Sequence, residues 1–171
     1  MVRVDKLTPA AYEAALDRLA EILVDAVDGG ASVTFMPGLG RAAARRFFAD
    51  LVPAVQAERA IVLAGFADDA LVGTVQLHLA WQPNQPHRAD VAKLLVHRSA
   101  RRRGVGQALM ARLEAVARAH GRTLLTFDTV PGSDAERLYL RLGYARAGVI
   151  PGYALLPSGA LGDAAFFYKA L

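Results

Sequence analysis

Apolar residues recur along the chain at two spacings, one typical of strands and one typical of helices. Strand-like runs predict seven strands, over residues 2–7, 60–67, 71–79, 90–96, 123–129, 144–149 and 165–170. Helical spacing of apolar residues predicts four helices, over residues 9–29, 41–52, 105–120 and 133–143. The predicted order is a strand, two helices, three strands, a helix, a strand, a helix and two strands.

Local signals mark the ends of several predicted helices. Thr8 followed by Pro9 is typical of a helix start, with threonine as the cap and proline at the first helical position. Ser133 and Glu136 have the spacing of a capping box, in which the serine satisfies early backbone donors and the glutamate reaches back. Gly121 follows a basic last turn and is typical of a helix C-terminus.

Two predicted connections are unusual. Residues 31–39 form an apolar loop between two helices, and we favour simple packing of this loop under the helices. The alternative is that Phe35 and Met36 form a wall of a pocket for an acceptor substrate. Residues 151–162 are punctuated by proline and glycine, and they are predicted to be a loop between the last two strands.

The composition narrows the class of protein. The chain has 171 residues, 54% hydrophobic and 21% charged, and we expect one globular domain spanning residues 1–171. No apolar run is long enough to span a membrane and the N-terminus has no hydrophobic signal block, so we expect a soluble cytoplasmic protein. The formal net charge of +4 suits an anionic cofactor, and it would also suit weak contact with nucleic acid.

The sequence also excludes some chemistry. It contains no cysteine, which excludes disulfides, a thiol nucleophile and cysteine-ligated zinc. Its histidines show no metal-binding spacing, so we expect no metal site. They are His78, His87, His97 and His120.

A basic, glycine-containing loop joins the fourth predicted strand to the third predicted helix. The apolar run ends at Val96, a run of arginines follows, and Gly104 and Gly106 open the helix. Glycine allows close approach of a ligand to the backbone, and the first turn of a helix offers free N–H groups to an anion. The loop therefore predicts a phosphate or pyrophosphate site, although it lacks the spacing of a P-loop and the third glycine of a dinucleotide fingerprint.

The loop Arg101-x-x-Gly104-x-Gly106 resembles the acetyl-CoA pyrophosphate loop of the GNAT N-acetyltransferases. Taken alone, it would equally suit an arginine-rich loop that caps an amphipathic helix. A second motif, Ala135-x-x-Leu138-Tyr139-x-x-x-Gly143-Tyr144, resembles the helix that presents a tyrosine to the cofactor sulfur in this family. The order of predicted elements is also that of the GNAT fold.

This resemblance implies a mixed α/β fold. Its sheet has six or seven mostly antiparallel strands, splayed between strands 4 and 5, with helices on both faces. It also implies acetyl-CoA as cosubstrate, Tyr139 as the proton donor to the leaving thiolate, and no metal. Many members have an asparagine where this chain has Ser133. The residues implied in cofactor binding are Leu94, Leu95, Val96, Arg101, Arg102, Arg103, Gly104, Val105, Gly106, Gln107, Ser133 and Tyr139.

Several segments are similar to the tabtoxin-resistance acetyltransferases, which acetylate an amino-acid-like β-lactam. They are residues 84–94, 127–139, 151–154 and 167–169. This resemblance implies two carboxylates near the reacting amine, at Asp90 and Asp128. Read alone, an aspartate at a strand end is commonly a turn or cap residue. The base could be either aspartate or a water relay, and Phe35 and His87 are further candidates for contact with the acceptor.

We therefore predict an acetyl-CoA-dependent N-acetyltransferase that acts by direct attack of a primary amine of a small molecule, an amino-acid-like or β-lactam antibiotic being one candidate. Lys93 is predicted to pack its stem and expose its amine. The alternative is a non-catalytic acyl-CoA-binding module or a basic nucleic-acid-binding module on the same fold. We expect no nucleic acid or membrane as partner, and a homodimer is one candidate assembly.

Overall fold

A computed structural model describes all 171 residues, from Met1 to Leu171. Its strands are β1 (Val2–Lys6), β2 (Ala60–Ala67), β3 (Ala70–Leu79), β4 (Arg88–Val96), β5 (Leu124–Thr129), β6 (Ala145–Leu155) and β7 (Leu161–Ala170). Its α-helices are α1 (Pro9–Ala14), α2 (Leu16–Asp28), α3 (Arg41–Ala49), α4 (Val52–Gln56), α5 (Val105–Ala119) and α6 (Asp134–Arg141). A short 3₁₀ turn (Arg98–Ala100) lies between β4 and α5.

The seven strands form one sheet in the order β1-β2-β3-β4-β5-β7-β6. All neighbours are antiparallel except β4 and β5, which run parallel. The parallel pairing extends only from Arg88 opposite Leu124 to Asp90 opposite Thr126. Beyond that point the two strands have no pairing and separate towards their C-terminal ends. The predicted mixed, splayed sheet is therefore confirmed.

Helices cover both faces of the sheet, and each face has its own apolar core. On one face, α5 buries Leu109, Met110 and Leu113 against the central strands, and Tyr139 of α6 joins the same core. On the other face, α2 and α3 bury Leu19, Ile22, Leu23 and Phe48. The second group of helices, α1 to α4, packs over β2, β3 and β4.

The structure corrects the prediction of a loop over residues 151–162. Most of this segment lies in the β6–β7 hairpin, whose turn spans residues 156–160. Pro151 is compatible with β6 because β6 is an edge strand, where a missing N–H removes no ladder bond. A register shift between Ile150 and Ala154 accommodates Pro151 and Gly152.

Two predicted helices are each interrupted. The first divides at Ala15 into α1 and α2, and the second ends at Ala49 before the short helix α4. Pro53 lies in the first turn of α4. The N–H groups of a first turn make no hydrogen bond within the helix, so proline is tolerated there. None of the helices combines the length and apolar composition needed to cross a lipid bilayer.

Candidate functional site

The loop between β4 and α5 presents a row of free backbone donors. The N–H groups of residues 102–107 donate to no acceptor within the chain, and no side chain caps the N-terminus of α5. Gly104 adopts a left-handed conformation (φ 81°) that favours glycine, and Arg102, two residues earlier, also has positive φ. The free donors and the positive end of the helix dipole make this loop suited to an anion.

The arginines around this loop are not equally available. Arg98 pairs with Asp25, and Arg103 pairs with Asp68 at 2.7 Å. Arg101 donates to the backbone carbonyl of Val96, and Arg102 has no ion-pair partner. The arginine run is therefore partly neutralised within the chain, which leaves Arg101 and Arg102 as the cations without a carboxylate partner.

Beside this loop, β4 has an uncovered edge where it separates from β5. Leu95 and Val96 pair with β3 on one side and have no strand partner on the other. A register shift interrupts the pairing with β3 just before them, where Lys93 adopts positive φ (51°). Leu94 lies in the same interruption. The free backbone groups along this edge can hydrogen-bond amides of an extended ligand.

The start of α6 is fixed by side-chain caps. The Ser133 hydroxyl accepts from the N–H of Glu136 at 3.1 Å, as the capping-box prediction requires. The carboxylate of Glu136 reaches back, but it accepts from the N–H of Gly132 at 2.6 Å rather than from that of Ser133. Arg146 pairs with the same buried carboxylate. These contacts fix α6 relative to β6 and so orient Tyr139.

Tyr139 lies in an aromatic cluster next to the split between β4 and β5. Its ring centroid is 4.3 Å from that of Phe127 and 6.0 Å from that of Tyr144. Its hydroxyl has no hydrogen-bond partner within the chain. Burial, with a contribution from the charge of Asp128, raises the pKa of Tyr139 well above its ordinary value. The phenol therefore stays protonated at neutral pH and can act as a proton donor.

Asp128 and Lys93 face the split from its two sides. Asp128 lies near the end of β5, is exposed, and makes no side-chain hydrogen bond or ion pair. The Lys93 ammonium donates to the Thr34 hydroxyl at 2.8 Å and lies 5.5 Å from the ring centroid of Phe47. Burial lowers the pKa of Lys93, and the charge of Asp128 opposes that shift. The Lys93 amine is thus more enclosed than the sequence predicted.

Asp90 has a different environment from Asp128. Its Oδ1 accepts from Arg88 Nη1 and from the Thr126 hydroxyl, each at 2.5 Å, while its Oδ2 has no partner. Arg88 is two residues before Asp90 in the same strand, so both side chains lie on the same face of the sheet. Arg88 and Thr126 are not among the site residues that the sequence predicts, although side chains two positions apart in a strand share a face, which could have indicated Arg88.

The remaining two candidates lie in different places. Phe35 packs edge-on against Phe47, with centroids 5.2 Å apart, and so it lies near Lys93. His87 is exposed at the opposite end of β4, before the paired segment, and its carbonyl accepts from the N–H groups of Thr123 and Leu124. The structure therefore brings Phe35 towards the split and leaves His87 apart from it.

The geometry of the loop and the split suits one elongated anionic ligand. The free N–H groups of residues 102–107 suit phosphate oxygens, and the uncovered edge of β4 leads from them to Asp128 and Tyr139. No group of three or more His, Cys, Asp or Glu side chains is placed to hold a metal ion.

Comparison with solved structures shows the same fold in several acetyltransferases. An N-acetyltransferase from Staphylococcus aureus Mu50 is 16% identical, with a TM-score of 0.81 over 99% of this chain and 98% of that chain. A ribosomal-protein-alanine N-acetyltransferase from Brucella melitensis is 20% identical, with a TM-score of 0.80 over 99% of each chain. YncA from Salmonella typhimurium, solved with its cofactor acetyl-CoA, is 17% identical, with a TM-score of 0.80 over 100% of this chain and 94% of that chain.

A family model described as "Acetyltransferase (GNAT) family" matches residues 31–144. The matched segment includes the free donors of residues 102–107, the split between β4 and β5, and Tyr139. The chain therefore belongs to the GNAT acetyltransferase family, and it is an acetyl-CoA-dependent acetyltransferase.

Proposed function

We propose that the acceptor is a primary amine of a small molecule and that the acetyl group moves by direct attack of this amine. The observation that carries the proposal is the convergence of Asp128 and Tyr139 at the split, where neither side chain has a hydrogen-bond partner. A free carboxylate suits a cationic amine, and a neutral phenol suits a leaving thiolate. Both lie at the end of the sheet from which the anion-binding loop extends.

Acetyl-CoA, when bound, supplies a thioester whose acetyl carbon is open to attack. We assign the pyrophosphate to the N–H groups of residues 102–107, together with the side chains of Arg101, Arg102 and Arg103. The backbone of Leu94, Leu95 and Val96 would hold the pantetheine arm, and one N–H there would stabilise developing negative charge on the acetyl oxygen. The Ser133 hydroxyl caps α6 and lies 3.5 Å from the Thr129 hydroxyl, and we propose that it also contacts the cofactor.

The amine must lose a proton before or during attack. The Asp128 carboxylate would bind the ammonium group and receive this proton, directly or through water. The free Oδ2 of Asp90 is a second acceptor for the same proton. Tyr139 would donate its hydroxyl proton to the thiolate as it leaves. No covalent enzyme intermediate is needed, which agrees with a chain that has no cysteine.

We propose an amino-acid-like acceptor, of which a β-lactam antibiotic is one candidate. The support is the sequence similarity to the tabtoxin-resistance acetyltransferases around Asp90 and Asp128, and the aromatic wall of Phe35 and Phe47 beside Lys93. We assign the binding site of the acceptor to the face of the sheet that carries Asp90 and Asp128. We treat residues 1–171 as one catalytic domain.

The test is release of free CoA thiol from acetyl-CoA across a panel of small primary amines, including an amino-acid β-lactam. Tyr139→Phe should lower kcat by about 10- to 1,000-fold, because only the proton donor is lost, while the Kd for acetyl-CoA stays unchanged. Tyr144→Phe is the matched control, since its hydroxyl is buried without a partner in the same aromatic cluster. This control should retain wild-type kcat.

Two results would contradict the proposal. Tyr139→Phe with wild-type kcat at saturating substrate would remove Tyr139 as the proton donor. Wild-type protein that binds acetyl-CoA but acetylates only protein N-termini or lysines would replace the small-molecule acceptor with a macromolecular one.

We also propose that two copies associate through β6. This strand is a sheet edge, and all of its residues are exposed. Two antiparallel copies of one edge strand can pair with each other by twofold symmetry, which satisfies their free N–H and C=O groups.

A further inference from the structure

A cavity of about 400 Å³ opens next to Asp90, on the face of the sheet covered by α1 to α4. It lies between α4, the end of β3 and the start of β4, and we call it the β3–β4 cavity. The polar and aromatic side chains that line it are Arg59, His78, Trp81, Gln82, Arg88 and Asp90. Its volume is in the range of small-molecule sites.

The positive and negative charges of the side chains that line this cavity do not cancel. Arg88 and Asp90 form an ion pair at 2.5 Å and neutralise each other. Burial lowers the pKa of His78, against an opposing contribution from Asp90, so its ring is neutral at pH 7. Arg59 is exposed and has no acidic partner within the chain. The cavity therefore carries one uncompensated positive charge, which favours a monoanionic group.

Two further features suit a bound small molecule. The amide oxygen of Gln82 is buried without a hydrogen-bond partner, so a donor from a ligand would satisfy it. Trp81 is 78% exposed at the rim, where its ring offers a flat apolar surface. The cavity thus combines a cation, a hydrogen-bond acceptor and an aromatic surface.

The cavity also leads to the reacting groups. Asp90 lines it and is at the same time the last residue of β4 that pairs with β5, so the split begins where the cavity ends. Arg88 and Thr126 occupy only Oδ1 of Asp90, which leaves Oδ2 free for an ammonium group. A molecule in the cavity can therefore place an amine near the split while an anionic group of the same molecule contacts Arg59.

We propose that the β3–β4 cavity binds the carboxylate of the acceptor through Arg59, so that the acceptor class is the amino carboxylates. This inference rests on the proposed function and deepens it. Arg59 acts as a specificity-determining residue: its guanidinium binds the carboxylate of the acceptor, and the amine of the same molecule points to Asp90 and Asp128.

The experiment compares matched acceptors in matched variants. Initial rates of CoA release are measured with free amino acids and with their α-carboxamides, for example L-methionine and L-methioninamide. Arg59→Gln should raise the KM for the free amino acids by about 10- to 100-fold, with little change in kcat, and leave the carboxamides unaffected. For each acceptor, KM and kcat of the variant are compared with those of the wild type. The difference in amine pKa between acids and amides therefore does not affect the comparison.

Arg112→Gln is the matched control, because Arg112 is an exposed arginine on α5 that has no ion-pair partner and lies outside the cavity. Its kinetics should equal those of the wild type for both acceptor classes. An equal effect of Arg59→Gln on acids and amides would overturn the inference. So would a wild-type enzyme that acetylates only amines without a carboxylate, and in both cases acetylation of a small amine would still stand.

If no amine of the panel is acetylated, the proposed function fails, and binding decides the inference separately. Calorimetric titration with N-acetyl-L-methionine then compares wild type, Arg59→Gln and Arg112→Gln. Binding that is lost only in Arg59→Gln would support the carboxylate site. Binding that is absent in the wild type, or unchanged in Arg59→Gln, would refute it.

Discussion

Asp90 and Asp128 lie on neighbouring strands of the same face, yet their carboxylates have different chemical surroundings. Asp90 shares one oxygen with Arg88 and Thr126, and this pairing holds its side chain at a fixed position. Asp128 has no partner, and so its whole carboxylate is open to a substrate. Positively charged amines are best bound by an uncompensated carboxylate, so Asp128 is favoured over Asp90 as the principal ammonium-binding group.

Removing the negative charge of Asp128 should weaken catalysis with the acceptor amine. Asp128→Asn should lower kcat/KM for the acceptor amine by about 10- to 1,000-fold, because the amide neither attracts the ammonium group nor takes its proton. The loss should be greatest at low pH, where more of the amine is protonated. The measurement is a pH profile of kcat/KM from pH 6 to pH 9.

Asp69→Asn serves as the control, since Asp69 is an exposed aspartate in the β2–β3 turn without an ion pair. Its profile should overlie that of the wild type. If Asp128→Asn keeps wild-type kcat/KM at every pH, Asp90 or a water relay must carry the proton transfer instead.

At the scale of elements, α2 is joined to the cofactor loop through Asp25. The side chain of Asp25 is only 9% exposed, and its Oδ2 accepts from the backbone N–H of Arg98 at 2.8 Å. The Arg98 guanidinium pairs with the same carboxylate, and His97 Nε2 lies 3.4 Å from it. These contacts fix the 3₁₀ turn that precedes the free donors of residues 102–107. Asp25 is therefore a positioning residue for the loop.

We expect Asp25→Asn to raise the Kd for acetyl-CoA by about 5- to 50-fold, with a smaller change in kcat, because the charge-assisted hydrogen bonds that fix the loop are weakened. Calorimetric titration with acetyl-CoA and steady-state kinetics measure the two effects. Asp28→Asn, one turn along on α2 and without an ion pair, is the control and should behave as wild type.

Asp25→Asn should also make the free energy of unfolding less dependent on pH in the acid range. Burial raises the pKa of Asp25, but the hydrogen bonds and charges of Arg98 and His97 outweigh it, so the net pKa lies below the ordinary value. The stabilisation is therefore present above about pH 4 and is lost as the pH falls towards the lowered pKa. Asp25→Asn should show a shallower loss of stability in acid, and identical profiles would argue against the Asp25–Arg98 contact.

At the scale of the whole molecule, the sheet ends in an unprotected edge. The exposed apolar side chains of the β6–β7 hairpin include Ile150, Tyr153, Leu155 and Leu161. Exposed apolar edge strands are sites of association between chains, and natural proteins otherwise protect them with charge or short length.

We predict a homodimer in solution that depends on this edge. Sedimentation equilibrium should give the mass of two chains for the wild type, and Ile150→Lys with Leu155→Lys should give the mass of one. Leu140→Lys, which replaces an equally exposed leucine on α6, should remain dimeric. A wild-type mass of one chain at all concentrations would refute the pairing through β6.

Much of the fold could be predicted because its signals are local. The apolar periodicity of β2 and α5, the threonine cap of α1 and the serine cap of α6 each depend on residues a few positions apart. The segment 151–162 was predicted wrongly because its prolines and glycines suggest a loop. Antiparallel pairing with β7, a nonlocal interaction, makes it a strand instead.

The family resemblance, the order of elements, the glycine that opens α5 and the candidates Tyr139, Asp90 and Asp128 can all be read from the sequence alone. These depend on residue type and short spacing, which folding does not change. The partners of those residues, in contrast, became known only from the folded chain. The contact of Asp90 with Thr126 and the contact of Asp25 with Arg98 join residues far apart in the chain. Their distances follow from sheet pairing and helix packing, which no local pattern encodes.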